Sequence, residues 1–125
     1  MPNGHMERYS EWLASHDHHL RLTAIAVLRH SKTRDSDTIS KVAGILETDD
    51  TPEIRREAVG LIAELGDASL TEVLEAALSD SDYIVRGRAY LGLKSIVPDC
   101  ESVPDVAKFI REETHPFCRW CIGEA

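Results

Sequence analysis

Residues 49–82 decide the fold, and they read DDTPEIRREAVGLIAELGDASLTEVLEAALSDSD. Thr51 to Glu53 is typical of a helix start, because it offers a capping residue, a proline at the first helical position and an acid in the first turn. Apolar residues then recur three and four apart up to Gly66, a residue that ends helices in the left-handed conformation without strain. A second helical pattern runs over 69–78, and then a similar first pattern begins again. The stretch therefore predicts two short helices that repeat.

Helical periodicity continues on both sides of this stretch, and no strand-like alternation competes with it over more than a few residues. We predict an all-α chain of about eight short helices joined by polar turns. Ser36 or Asp37 is the predicted N-terminal cap of the third helix. The predicted helices span 6–15, 18–31, 36–47, 51–65, 69–78, 83–96 and 102–112, with a last one from 115.

A repeat emerges when the helices are aligned on one arginine. Four arginines, separated by 34, 31 and 33 residues, are each preceded by an apolar residue and followed three positions later by an alanine or isoleucine. A period in the low thirties, made of two short helices, is typical of a helical solenoid, in which stacked units share one core. The four arginines are Arg21, Arg55, Arg86 and Arg119.

Residues 49–67, DDTPEIRREAVGLIAELGD, resemble the short HEAT repeats often called HEAT-like or phycobiliprotein-lyase-type repeats. The resemblance covers residues 7–125 and implies a right-handed α-α superhelix. It divides a single domain, 6–125, into units of about 16–48, 49–79 and 80–113, with half-units at 6–15 and 114–125. Residues 1–5 look like a cloning remnant and are left out of this domain.

Acidic residues occupy a fixed place in the repeat. Asp49, Asp80 and Glu113 each lie six residues before a repeat arginine, and Ser15 holds the same place in the first unit. The resemblance implies that such acids and arginines form a ladder that ties each turn between units to the next helix. We therefore expect a structural role for these arginines and predict no catalytic residue among them.

Charge and composition restrict the class of function. The 125 residues carry a net charge of −8, and seven acids without a single Lys or Arg follow Arg56 up to Asp82. Nucleic acids would be repelled there, whereas a protein with a basic surface would be attracted. The alternative is that these acids keep a small domain soluble. No apolar run approaches the ~20 residues that span a bilayer, so we predict no membrane partner.

Two clusters of cysteine and histidine residues are candidate metal sites. Three cysteines, all after residue 99, form no disulfide framework and suit a reducing cytoplasm. His115, Cys118 and Cys121 have zinc-like spacing, but Cys118 falls on a predicted inward position, which favours the core. His16, His18 and His19 surround a helix start, where neighbouring side chains diverge and solvation is the favoured interpretation. We predict no metal and no cofactor.

The favoured function is a non-enzymatic protein-binding or scaffold module. Its second helices (36–47, 69–78 and 102–112) are predicted to line a concave surface, and the last helix adds apolar residues where the array ends in a half-unit. Candidate partners are another protein with a basic surface and a second copy joined through the terminal helices. The alternative is an auxiliary subunit of a modifying enzyme, as in bilin-lyase relatives. The predicted partner-binding residues are Lys41, Glu72, Glu75, Asp105, Lys108, Arg111, Phe117 and Trp120.

Overall fold

The computed structural model describes residues 4–32 and 35–123. Within these ranges it contains eight α-helices and no strand, which confirms the all-α prediction. Two short 3-10 turns, Ala68–Leu70 and Cys100–Ser102, precede α5 and α7. The helices are α1 Gly4–Trp12, α2 His18–Ser31, α3 Ser36–Thr48, α4 Pro52–Leu65, α5 Thr71–Ala77, α6 Tyr83–Ile96, α7 Pro104–Glu112 and α8 Pro116–Ile122.

The helices stack in two layers. The first helices, α2, α4, α6 and α8, lie side by side in chain order, each in contact with the next. The second helices, α1, α3, α5 and α7, form the other layer, and the first three of them pack closely on the first helix that follows. One core of buried apolar side chains runs between the layers along the stack. The arrangement is an all-α solenoid.

Aspartates start several of the helices. Asp82 accepts hydrogen bonds from the N–H groups of Ile84 and Val85 at the start of α6. In α3 the cap is Asp35, whose carboxylate accepts from the Thr38 N–H at 3.0 Å and hydroxyl at 2.7 Å. The prediction of Ser36 or Asp37 as this cap was wrong, because the Thr38 hydroxyl adds a second bond to the earlier carboxylate.

The second helix predicted over 69–78 is not one continuous α-helix, because its first residues form a 3-10 turn. Gly66 ends α4 at φ 62°, as predicted, in a conformation that costs glycine little. Asp67 then accepts from both the N–H and the hydroxyl of Ser69 at 2.9 Å. These bonds hold a 3-10 turn, so that α5 begins two residues later than expected and has seven residues.

Two glycines of α6 allow its neighbours to approach closely. A Cβ at Gly92 would lie 2.8 Å from the Cβ of Ala63 on α4, and one at Gly87 would lie 2.5 Å from the ring of Phe117 on α8. Separations this short between side-chain carbons are sterically forbidden, so larger residues would push the first helices apart. Both glycines therefore help to set the spacing of the first-helix layer.

Candidate interaction surfaces

An arginine–carboxylate ladder ties the units together along the turns. At its centre, Arg55 Nη1 donates to the carbonyl of Asp49 at 2.8 Å, in the turn that precedes its own helix. Its Nε and Nη2 donate to the two carboxylate oxygens of Asp80, in the next turn, at 3.0 Å each. Both side chains are only 10% exposed, so the guanidinium bridges two turns in a largely buried setting.

The same geometry recurs on either side. Arg21 binds the Ser15 carbonyl at 2.8 Å and the Asp49 carboxylate at 2.8 Å. Arg86 binds the Asp80 carbonyl at 3.0 Å and the Glu113 carboxylate at 2.8 Å. The predicted ladder is confirmed, and it has a defined direction because each carboxylate is held by the arginine of the preceding first helix.

Each ladder acid also shapes its own turn. Asp49, Asp80 and Glu113 accept the backbone N–H two residues further on, each at 2.9 Å. Burial raises the pKa of Glu113, but hydrogen bonds from Arg86 and from backbone N–H groups outweigh it and lower the pKa below its usual value. In the first unit the Ser15 hydroxyl accepts the Asp17 N–H at 3.1 Å, which reproduces the turn without a charge.

Further ion pairs cross the outer side of the first helices. Arg29 of α2 reaches Glu57 at 3.2 Å and Glu64 at 2.9 Å on α4. Its guanidinium passes over Gly60, where a Cβ would lie 2.7 Å from it. The hydrogen bond from Arg29 lowers the pKa of Glu64. The positive charge of Arg29 is therefore used to join α2 to α4.

A second set of bonds joins α4 to α6. Arg56 pairs with Asp82 at 2.7 Å and lies over the ring of Tyr83 at 5.9 Å. Arg88 donates to the Arg56 carbonyl at 2.8 Å and lies 3.9 Å from Glu57. These pairs were not predicted from the sequence. Their acids and arginines were visible on the first helices, but pairing between helices depends on the stacking register.

The second helices present a different use of charge. We call their outward charged side chains the second-helix face. Glu75 is half-buried, although it was expected to be exposed. Within the described residues, Glu72, Glu75, Asp105 and also Glu47 form no ion pair. The exposed charged residues of α3, α5 and α7, which make up this face, are Asp37, Lys41, Glu47, Glu72, Asp105, Lys108, Arg111 and Glu112.

Only some of the predicted residues lie together. Asp105 and Lys108 line a groove of about 320 Å³ between α5 and α7, with Glu112 beside them and the buried Leu78 and Phe109 on its floor. Lys41 instead donates to the Ser10 hydroxyl of α1 at 3.1 Å and lies 3.9 Å from Asp37. Glu72, Glu75 and Arg111 do not line this groove.

Two acids of this face, Glu47 and Glu112, were not predicted as contacts. Glu47 lines a second groove, of about 250 Å³, between α3 and α5. Glu47 lies next to the last residue of α3, and Glu112 is the last residue of α7. This position at the end of a second helix is the signal by which the sequence could have identified them as contacts.

The last predicted residues belong to α8 and lie apart from the groove between α5 and α7. Trp120 is 67% exposed and Phe117 is half-buried, with their ring centroids 6.4 Å apart. His115 stacks on Tyr83 at 3.8 Å, and its Nδ1 accepts the Phe117 N–H, so it caps α8. The position of these aromatic residues at the end of the array was predicted from the sequence, but their packing against α6 was not.

The zinc-like spacing near the C-terminus does not produce a metal site. Cys118 is buried, as its inward position predicted, and Cys121 is buried as well. The Cys118 thiol donates to the Tyr83 carbonyl at 3.2 Å. Burial raises the pKa of Cys118 to about 11 and also raises that of Cys121. Cys100 is buried too. No group of three or more His, Cys, Asp or Glu residues within 4–32 and 35–123 could hold a metal ion.

No helix in the described part of the chain is long and apolar enough to cross a membrane.

Comparisons with known proteins identify the family of the chain. No curated protein matches the chain. The sequence model of HEAT repeats matches residues 39–125, from the first turn of α3 through α8, whereas the phycobiliprotein-lyase type expected from the sequence is not confirmed. The arginine spacing extends the same repeat back to α2, and the chain belongs to the HEAT repeat family.

Proposed function

We propose that this protein is a non-catalytic interaction module that binds a partner protein with a basic surface through its second-helix face. HEAT repeats generally mediate protein–protein interaction or scaffolding. The observation that supports the finer proposal is a contrast between two sets of residues. Every described arginine of the first helices is hydrogen-bonded to another part of the chain, whereas Glu47, Glu72, Glu75 and Asp105 of the second helices form no ion pair among the described residues.

The unpaired acids give the second-helix face a negative field. Glu47, Glu72 and Asp105 are exposed without an ion pair among the described residues, and Glu75 is half-buried without one. The basic residues of this face compensate only in part, because Lys41 already lies beside Asp37 and Ser10. Fields of one sign attract partners of the other sign and raise association rates.

The groove between α5 and α7 suits a lysine or arginine side chain. Its apolar floor, Leu78 and Phe109, can cover the aliphatic part of such a side chain. Asp105 and Glu112 at the walls can then pair with the charged end, while Lys108 disfavours a second cation nearby. Recognition of this kind weakens as salt screens the charges.

The proposal of a non-catalytic role is supported by the burial of the three cysteines. Burial raises the pKa of Cys100, Cys118 and Cys121, so their nucleophilic thiolate forms are disfavoured at neutral pH. Three free, buried thiols also suit the reducing cytoplasm that we propose as the location.

Affinity capture from a lysate of the native host tests the proposal. The bait is wild type or the triple variant Glu72→Gln, Glu75→Gln and Asp105→Asn. A matched control, Asp50→Asn, Glu53→Gln and Asp99→Asn, removes the same charge at exposed positions outside the second-helix face. Mass spectrometry then identifies and quantifies the captured proteins.

We expect wild type and the control to retain one basic protein that is released by about 0.5 M salt, where screening is strong. The triple variant should lose it. Equal retention by both variants, or retention that salt does not change, would contradict an electrostatic role for the second-helix face.

A further inference from the structure

The helices at the two ends of the first-helix layer, α2 and α8, each leave part of their surface uncovered. Positions are counted from the ladder arginine of each unit. The residue at −1 is fully buried in α4, α6 and α8, as Ile54, Val85 and Cys118, but its counterpart Leu20 in α2 is only half-buried. At the start of the stack, therefore, a core position lacks full cover.

A second position on the same side of α2 behaves alike. Val27, at +6, is half-buried, whereas its counterparts Leu61 and Gly92 are buried. Positions −1 and +6 are seven residues apart and so share one side of a helix. In α6, Gly92 packs against Ala63 of α4, which shows that this side receives the preceding first helix. In α2 it is partly open.

At the other end of the stack, α8 exposes the matching side. Arg56, at +1 in α4, contacts Asp82 and Tyr83 at the start of α6. Gly87, at +1 in α6, receives the ring of Phe117 at the start of α8. The residue at +1 in α8 is Trp120, which is 67% exposed.

Position +1 of α8 is thus open among the described residues, whereas in α4 and α6 the start of the next first helix contacts it. The open sides of α2 and α8 are the two faces of the contact that α4 and α6 already make.

We propose that copies of this chain associate head to tail, with α2 of one copy stacked on α8 of another. The contact continues the existing packing of first helices, and the order of helices is preserved because α1 and α2 follow α7 and α8. Trp120 would meet His18 and His19, the counterparts of Tyr83 and Ile84. These histidines are exposed, with their rings 4.1 Å apart, and offer an aromatic surface to the indole.

The proposed contact is weaker than those within the chain. Ser15 stands where Asp49, Asp80 and Glu113 offer carboxylates, so the contact between copies lacks the ionic bond of the ladder. Association is therefore reversible and depends on protein concentration. Because the two surfaces differ, copies add in series rather than closing as a symmetric dimer. This inference does not depend on the acidic second-helix face.

Sedimentation velocity on the full chain, from about 1 μM to about 1 mM, provides the test at protein concentrations spanning typical weak affinities. Wild type should increase in mass beyond a dimer, and more so at higher salt, since screening reduces repulsion between chains of charge −8. Trp120→Glu should stay monomeric, as should the double variant His18→Glu, His19→Glu. The control Leu91→Glu, at a 41% exposed apolar position of α6, should behave as wild type.

Mixing the two monomeric variants tests whether the contact between copies is head to tail. One retains an intact α2 side and the other an intact α8 side, so together they should form a one-to-one dimer and nothing larger. Unchanged melting temperatures would show that each variant is folded, and Trp120→Ser replaces Trp120→Glu if that variant is not.

A wild type that stays monomeric throughout would overturn the proposal. Association that Trp120→Glu blocks and the histidine variant leaves intact would also overturn it, because it would indicate a symmetric contact between two α8 helices.

Discussion

The two kinds of helix use their charges in opposite ways. On the first helices, every described arginine donates a hydrogen bond to another part of the chain, and most of these bonds cross to a neighbouring helix or turn. On the second helices, exposed acids such as Glu47, Glu72 and Asp105 form no ion pair within the described residues. The comparison teaches that the arginines of the first helices maintain the stack, whereas these acids of the second helices are available to a partner.

Removing a ladder arginine should have the largest effect. Arg55→Met keeps much of the side-chain volume but leaves the Asp80 carboxylate, 10% exposed, without its cation. Loss of one partner from a buried pair costs about 3–5 kcal/mol. We expect the free energy of unfolding to fall by about that amount, measured by urea denaturation.

Arg111→Met is the matched control for this substitution. Arg111 lies on a second helix, is 68% exposed and has only a 3.7 Å contact with Glu112. Exposed pairs contribute about 0–1 kcal/mol, so its stability should hardly change. Equal losses in the two variants would remove the distinction between the layers.

A smaller effect, dependent on pH, is expected at the start of α6. The hydrogen bond from Arg56 lowers the pKa of Asp82, and backbone N–H groups of Val85 and Ile84 lower it further against the effect of burial. A carboxyl with a lowered pKa stabilises the fold above its usual pKa, about 4, and this stabilisation is lost as pH falls through the lowered value.

Asp82→Asn should therefore cost about 1.5–3 kcal/mol at pH 7, the range for a hydrogen bond to a charged group. The difference from wild type should shrink below about pH 4 as Asp82 becomes protonated. Thermal unfolding of both proteins between about pH 2 and pH 7 provides the measurement. A constant difference over this range would mean that the charge of Asp82 is unimportant.

The smallest effect on stability should come from the second-helix face. Glu72→Gln with Glu75→Gln removes two charges that form no ion pair among the described residues. Surface changes of this kind usually lie within about 0.5 kcal/mol. A melting temperature within error of wild type would confirm that these acids are not structural, and a clear loss would contradict it.

Sequence alone predicted the features that depend on local period and spacing. The bounds of α2 and α6 agree with the prediction, and the end of α4 at Gly66 follows from backbone chemistry. The ladder could be expected from the acid six residues before each arginine, once the resemblance to HEAT repeats gave those acids a role. Such signals are contained within one unit.

Features that depend on the stacking of units could not be predicted. Three such features depend on how far neighbouring helices are shifted along their axes relative to one another. They are the half-burial of Glu75, the bonds from Arg29 to Glu57 and Glu64, and the groove between α5 and α7. The cap at Asp35 was missed for a local reason, because Asp35, Ser36 and Asp37 follow one another and each is a residue type that caps helices. The site was therefore predicted by residue type better than by geometry.

The direction of the ladder bears on how the molecule unfolds. Asp80 both shapes the turn before α6 and holds Arg55 of α4, so neither unit can open without breaking a bond of the other. Nearest-neighbour coupling of this kind makes a repeat array melt cooperatively. Hydrogen exchange should then show α4 and α6 opening as one block, with α1 and α8 exchanging first, since α1 packs closely on α2 alone and α8 on α6 alone.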